Sequence, residues 1–159
     1  MAASRSMTEN MRRAELTPKL VDSLYTEAMV LADEARSYFD INEDPGRIEL
    51  DPLTRVGFAC ESLKVTTRLM HVIAWLLTQR AVRAGELTAA QAHTSDRRLG
   101  DAPNTDHILA RKFPEAARML IRQSEELFER VRRLDFVTAA PEQDGSPARS
   151  LMSRLERSI

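Results

Sequence analysis

From Asp51-Pro52 the chain runs to Gly85 without a further proline or a strong stop signal. As one helix this stretch of about 33 residues measures ~50 Å. Its apolar residues fall on more than one side. Leu53, Val56, Cys60, Leu63, Thr67, Met70, Ala74, Leu77, Ala81 and Ala84 alternate steps of three and four, which is heptad spacing. Phe58, Val65, Leu69, Val72 and Leu76 form a second stripe well over 100° around the helix. A helix that is apolar on two sides has neighbours on two sides, so this one is expected at the centre of the fold, and because Leu69 to Leu77 is apolar nearly all round, part of it is expected against a second copy in a homodimer.

The rest of the composition agrees with a helical body. The chain has 159 residues, a length at which one domain buries ~70% of its extended surface without staples. Cys60 is the only cysteine, which excludes a disulfide framework and a multi-cysteine zinc site. Five glycines and seven prolines are too few for the turns of an all-β fold. A net charge of −1 removes the electrostatic case for nucleic acid or an anionic membrane as partner. Leu69 to Leu77, the strongest apolar run, is far short of the ~20 residues that span a bilayer, and residues 1–16 carry no apolar leader core. A cytoplasmic protein is expected.

Start and stop signals divide the chain into three parts. Residues 1–16 lack periodicity and are expected to be disordered. Thr17-Pro18 opens a first helix to about Phe39, and Asp44-Pro45-Gly46 punctuates a turn before the long second helix. Thr88 and Gln91 have the form of a capping box, predicting a helix of one or two turns before a polar loop from His93 to Asp106. A third long helix carries Phe113, Ala117, Leu120, Ser124, Leu127, Val131 and Leu134 in three-four steps. Pro114 sets residues 107–112 apart as a separate turn or beyond a kink. The predicted body is therefore 17–136, an all-α three-helix bundle with a long central helix. Residues 137–159 read as a flexible tail whose end places Leu151, Leu155 and Ile159 at four-residue steps among arginines. That end, with Met152 and Arg154, is a candidate docking peptide, against plain disorder as the alternative.

No catalytic constellation emerges. Cys60 sits in the heptad stripe with no histidine within a turn, so it is expected to be a small buried hydrophobe. His93 and His107, with Asp96, Asp101 and Asp106, match no metal-ligand spacing and are expected as solvated loop residues. His93, Thr94, Ser95 and Asp96 contain triad residue types, but adjacency on a loop does not give triad geometry. No phosphate loop or nucleophile elbow is present, so no enzyme, cofactor or metal is expected. The third face of the long helix is the candidate partner surface, with Glu61, Arg68, His71 and Trp75 as the residues to contact it, since Trp and Arg dominate binding hot spots. Two other readings stay open. Trp75 can lie beneath the 86–105 connection, and Glu61 and Arg68 can be ordinary surface charge.

Two stretches carry a more specific signal: Leu24-Tyr25-Thr26-Glu27-Ala28-Met29 continuing through Ala32 to Phe39, and Phe58 to Met70 continuing through Ile73 to Val82. They resemble the alphaproteobacterial regulator of CtrA degradation family, over residues 17–135. The resemblance implies a dimeric helical bundle without enzymatic activity that acts as an adaptor for the ClpXP protease. It further implies a response-regulator partner, a cyclic-di-GMP-binding partner, CtrA-type substrates and recruitment to a cell pole. A helical small-molecule sensor and a stand-alone dimeric scaffold are the alternatives that the residues themselves leave open.

Overall fold

The computed structural model describes residues 16–40, 46 and 49–139, and the segments expected as an N-terminal extension and as most of the tail lie outside them. Five helices follow in order among the described residues: α1 Pro18–Asp40, α2 Pro52–Arg83, α3 Ala89–Ala92, α4 His107–Ala110 and α5 Glu115–Ala139. α1, α2 and α5 form the three-helix bundle that the sequence predicts.

Four of the five helices, α1 to α4, begin where a side chain can satisfy orphan N–H groups. Thr17 Oγ1 accepts from the Leu20 amide at 3.1 Å. Asp51 caps α2 twice, accepting from the Thr54 amide at 2.9 Å and from the Thr54 hydroxyl at 2.6 Å, with Pro52 in the first turn where it lacks no needed donor. Thr88 and Gln91 form the predicted capping box on α3. Asp106 accepts from the Leu109 amide at 3.1 Å, so 107–110 is a separate turn of helix and not a kinked continuation of α5. Gly85 ends α2 with φ of +78°, a conformation glycine adopts without a Cβ penalty. α5 runs on through Val137 to Ala139, three residues into the stretch read as tail.

The core forms where three stripes with steps of three and four meet. α1 gives Val21, Leu24, Ala28, Leu31 and Ala35. α5 gives Ala117, Leu120, Ser124, Leu127 and Val131. α2 gives Thr54, Phe58, Glu61, Val65, Arg68, Val72 and Trp75, with Leu69 and Leu76 beside them. Phe58 anchors one end, edge-on to Phe39 at 5.5 Å and to Phe113 at 5.2 Å between ring centroids.

α2 packs on both α1 and α5, as a central helix must, but not through the two stripes the sequence suggests. Phe58, Val65, Leu69, Val72 and Leu76 do lie inside. The heptad stripe does not: Leu53, Val56, Leu63, Met70 and Leu77 are exposed, and so is Cys60, which corrects its reading as a buried hydrophobe. The places of that stripe in the core are taken by Glu61, Arg68 and Trp75.

Candidate functional site

Glu61, Arg68 and Trp75 are only 1–3% exposed, so the face expected to meet a partner is an inner face of the bundle. The reason is the chain between α3 and α4, which lies over this side of α2 and supplies the hydrogen-bond partners that burial of charge demands. Arg68 Nη2 donates to the Thr105 hydroxyl at 2.7 Å and to the Pro103 carbonyl at 3.0 Å, while Nη1 donates to Ser124 Oγ at 3.2 Å. Glu125 stands 3.9 Å from the same guanidinium. Burial pushes the Arg68 pKa down, opposed by the charges of Glu125 and Glu61.

Two turns earlier, Glu61 Oε1 accepts from Lys64 Nζ at 2.6 Å and from the Asp106 amide at 3.1 Å. Lys64 passes a second hydrogen bond to the Asn104 carbonyl at 2.9 Å. Glu61, Lys64 and Arg68 thus grip residues 103–106 at four successive points. Trp75 closes the row, its indole N–H donating to Asp135 Oδ1 at 2.8 Å, and Asp135 Oδ2 accepts from Arg98 at 2.9 Å. His71 is half-buried beneath Gly100, where a Cβ would come within 3.1 Å of Cε1. Of the four candidate contact residues on α2, three therefore hold the loop and α5 in place. The other four, Leu151, Met152, Arg154 and Leu155, lie outside the described residues.

His93 and His107 are both exposed, and His107 Nε2 sits 3.3 Å from Glu125 Oε1. Among the described residues, no group of three histidine, cysteine, aspartate or glutamate side chains is placed to hold a metal ion. No helix among them is long and apolar enough to cross a membrane.

Two features went unread in the sequence. One is which side of α2 faces outward, since the heptad stripe is set against a neighbour within the bundle and only Leu69 to Leu77 is read as reaching beyond it. The other is an open cleft of about 970 Å³ between the start of α1, the 95–101 loop and the end of α5, lined by Leu20, Leu24, Leu99 and Phe136 and by Arg98, Arg130, Arg132 and Arg133. Its walls come from three separate segments, so nothing local in the sequence announces it.

A family model described as a protein of unknown function (DUF1465) matches residues 12–159. The chain belongs to this family. It is also similar to the crystal structure of RcdA from Caulobacter crescentus CB15, with 34% sequence identity, a TM-score of 0.60, and a match covering 76% of this chain and 92% of that one. This is an RcdA-like protein, a relative of the Caulobacter protein and not that protein itself, since only 34% of the matched residues are identical. No curated protein matches it.

Proposed function

We propose that this RcdA-like protein is a non-enzymatic proteolytic adaptor, working as a homodimer that helps deliver CtrA-type cell-cycle regulators to the ClpXP protease. The observation that carries the reading is the likeness to RcdA over nearly the whole of that chain. The build of the molecule supports it. The polar side chains on the inner face of α2 are spent on holding the loop, while apolar surface is left on the outer face. That is an allocation suited to binding rather than to bond-breaking.

An adaptor changes a rate by raising local substrate concentration, and two modest contacts on one body gain about 10²- to 10⁴-fold over either alone. The bundle gives rigid surfaces for a response-regulator partner and a cyclic-di-GMP-binding partner. The C-terminal segment, through Leu151, Met152, Arg154 and Leu155, adds a tethered contact at the cell pole. In a reconstituted reaction with ClpXP, the partners and a CtrA-type substrate, adding the protein accelerates degradation several-fold. No acceleration with partners of proven activity rejects the reading.

The cleft at the end of α5 favours a second reading, a small-molecule sensor, because four arginines and apolar side chains that include Leu20, Leu24, Leu99, Leu134 and Phe136 line a volume of ligand size. A sensor gains several degrees of melting temperature with one specific compound, and an adaptor alone does not.

A further inference from the structure

The cleft beside the end of α5 joins an apolar floor to a cationic rim. Leu20 and Leu24 of α1, Leu99 of the connecting chain, and Leu134, Phe136 and Val137 of α5 line its volume of about 970 Å³. The leucines are buried or half-buried, and Phe136 is 73% exposed, an aromatic ring that the fold itself leaves uncovered. Arg98, Arg130, Arg132 and Arg133 also line the cleft, all four exposed, with only Asp101 and Asp135 against them. The lining thus carries an excess of two positive charges in a chain whose net charge is −1. Asp135 is already spent, accepting from Trp75 and Arg98.

Three of the arginines are held in position. Arg130 donates to Glu27 of α1 at 2.8 Å, Arg98 to Asp135 at 2.9 Å, and Arg132 to both carboxylate oxygens of Glu129 at 2.7 and 2.9 Å. A guanidinium has five N–H donors, so each of the three keeps at least three of them. Among the described residues no hydrogen bond or ion pair holds Arg133, which keeps all five. Donors whose directions are set before a ligand arrives lose little side-chain freedom on binding it.

The remaining lining narrows the ligand. Ser95 is the one neutral polar side chain in it, too little to read the edge of a nucleobase or a ring of sugar hydroxyls. Four leucines and a valine suit an aliphatic body. The apolar part of the C-terminal segment, residues 149–157, has Arg149, Arg154 and Arg157 against Glu156 alone and would bring like charge to the rim. We infer that the cleft binds an amphipathic anion from outside the chain, a carboxylate or phosphate head on an alkyl body, with the head on the arginines and the alkyl chain along Leu20, Leu99, Leu134 and Phe136. This rests on the sensor reading above and names the class of its ligand.

Isothermal titration calorimetry of the full chain with octanoate, decanoate and decyl phosphate, each below its micelle concentration, tests the site. Decanoate fills a single saturable site, and each methylene added from octanoate to decanoate tightens binding about 2- to 4-fold. Octanol and octyltrimethylammonium bind at least roughly 10-fold more weakly than octanoate. Arg133→Gln weakens decanoate about 10-fold and leaves the melting temperature unchanged, because Arg133 has no partner to lose. Phe136→Ala flattens the dependence on chain length, and Arg122→Gln, on α5 outside the cleft, binds as the wild type does. Binding of either decanoate or decyl phosphate carries the inference, and the tighter of the two names the head. Equal binding of octanol and octanoate, or undiminished decanoate binding by Arg133→Gln, overturns it. A nucleotide that raises the melting temperature through Arg133, with neither amphiphile binding, removes this inference and leaves the sensor reading. Decanoate that fills the cleft but leaves the rate of the reconstituted degradation unchanged removes the sensor reading only.

Discussion

Trp75 Nε1 donates to Asp135 Oδ1 across 60 residues of chain, and the other oxygen of that carboxylate holds Arg98 on the connecting loop. One buried carboxylate thereby joins α2, α5 and the chain between α3 and α4.

Trp75→Phe keeps most of the buried ring but takes the donor from Asp135 Oδ1, leaving only the Arg98 bond to Oδ2, and costs about 1–3 kcal/mol, the penalty of a buried polar atom left without its partner. Trp75→Ala adds a cavity and costs about 3–5 kcal/mol. Urea unfolding followed by far-UV circular dichroism measures both, with the midpoint falling and the slope unchanged.

Arg68→Leu removes three hydrogen bonds that fasten residues 103–105 and Ser124 to α2, and costs about 2 kcal/mol. Its sharper signature is local. Arg97 and Arg98 lie on the loosened connection, so limited trypsin digestion cleaves there at least roughly 10-fold faster than in the wild type. Arg68→Lys gives much of the same loss, because one ammonium cannot reproduce the fork that reaches Thr105, Pro103 and Ser124 together.

Helix positions were legible because their causes are local. Thr17, Asp51, Thr88 and Asp106 cap the helices they precede, and the Asp51 and Thr88 signals stand in the sequence beside the proline or glutamine that completes them. The facing of α2 was not legible. Two stripes of that helix have similar spacing, and the one with the more apolar residues looks like the core. Glu61, Arg68 and Trp75 can be buried only because Thr105, Ser124, Asp106 and Asp135 satisfy them from 37 to 60 residues away. The spacing of α2 says nothing of those partners. Cys60 was misassigned for the same reason, since its place was read from the stripe and the stripe faces outward.

Asp22 ties the start of α1 to the end of α2, accepting from Arg80 Nε and Arg83 Nη2, each at 3.0 Å. Hydrogen bonds from Arg83 and then Arg80 hold its carboxyl below the ordinary value of 3.8. A depressed carboxylate contributes stability that is present above its unfolded value and is lost as pH falls through the lower folded value. The melting temperature of Asp22→Asn is therefore below that of the wild type near neutral pH, and the two converge as pH falls below 3.8 and through the lowered folded value. The gap also narrows in ~1 M salt, because the pair is exposed.

Removing residues 141–159 separates body from reach. The truncated chain keeps the melting temperature of the full protein, because the core of the described residues, with the buried Asp135 beyond it, precedes the cut. Degradation in the reconstituted reaction slows to the level that the bundle surfaces sustain alone. Unchanged delivery by the folded, shortened protein rejects a docking role for Leu151, Met152, Arg154 and Leu155.

The rate of CtrA-type substrate degradation by ClpXP, titrated against this protein with its partners held constant, bears most directly on the claim that it supplies surfaces and no chemistry. A tether that must hold substrate and protease on one body gives a rate that rises, peaks, and falls again when excess copies carry the two apart. A flat response at every concentration, or loss of substrate to the purified chain with no protease present, would contradict the account.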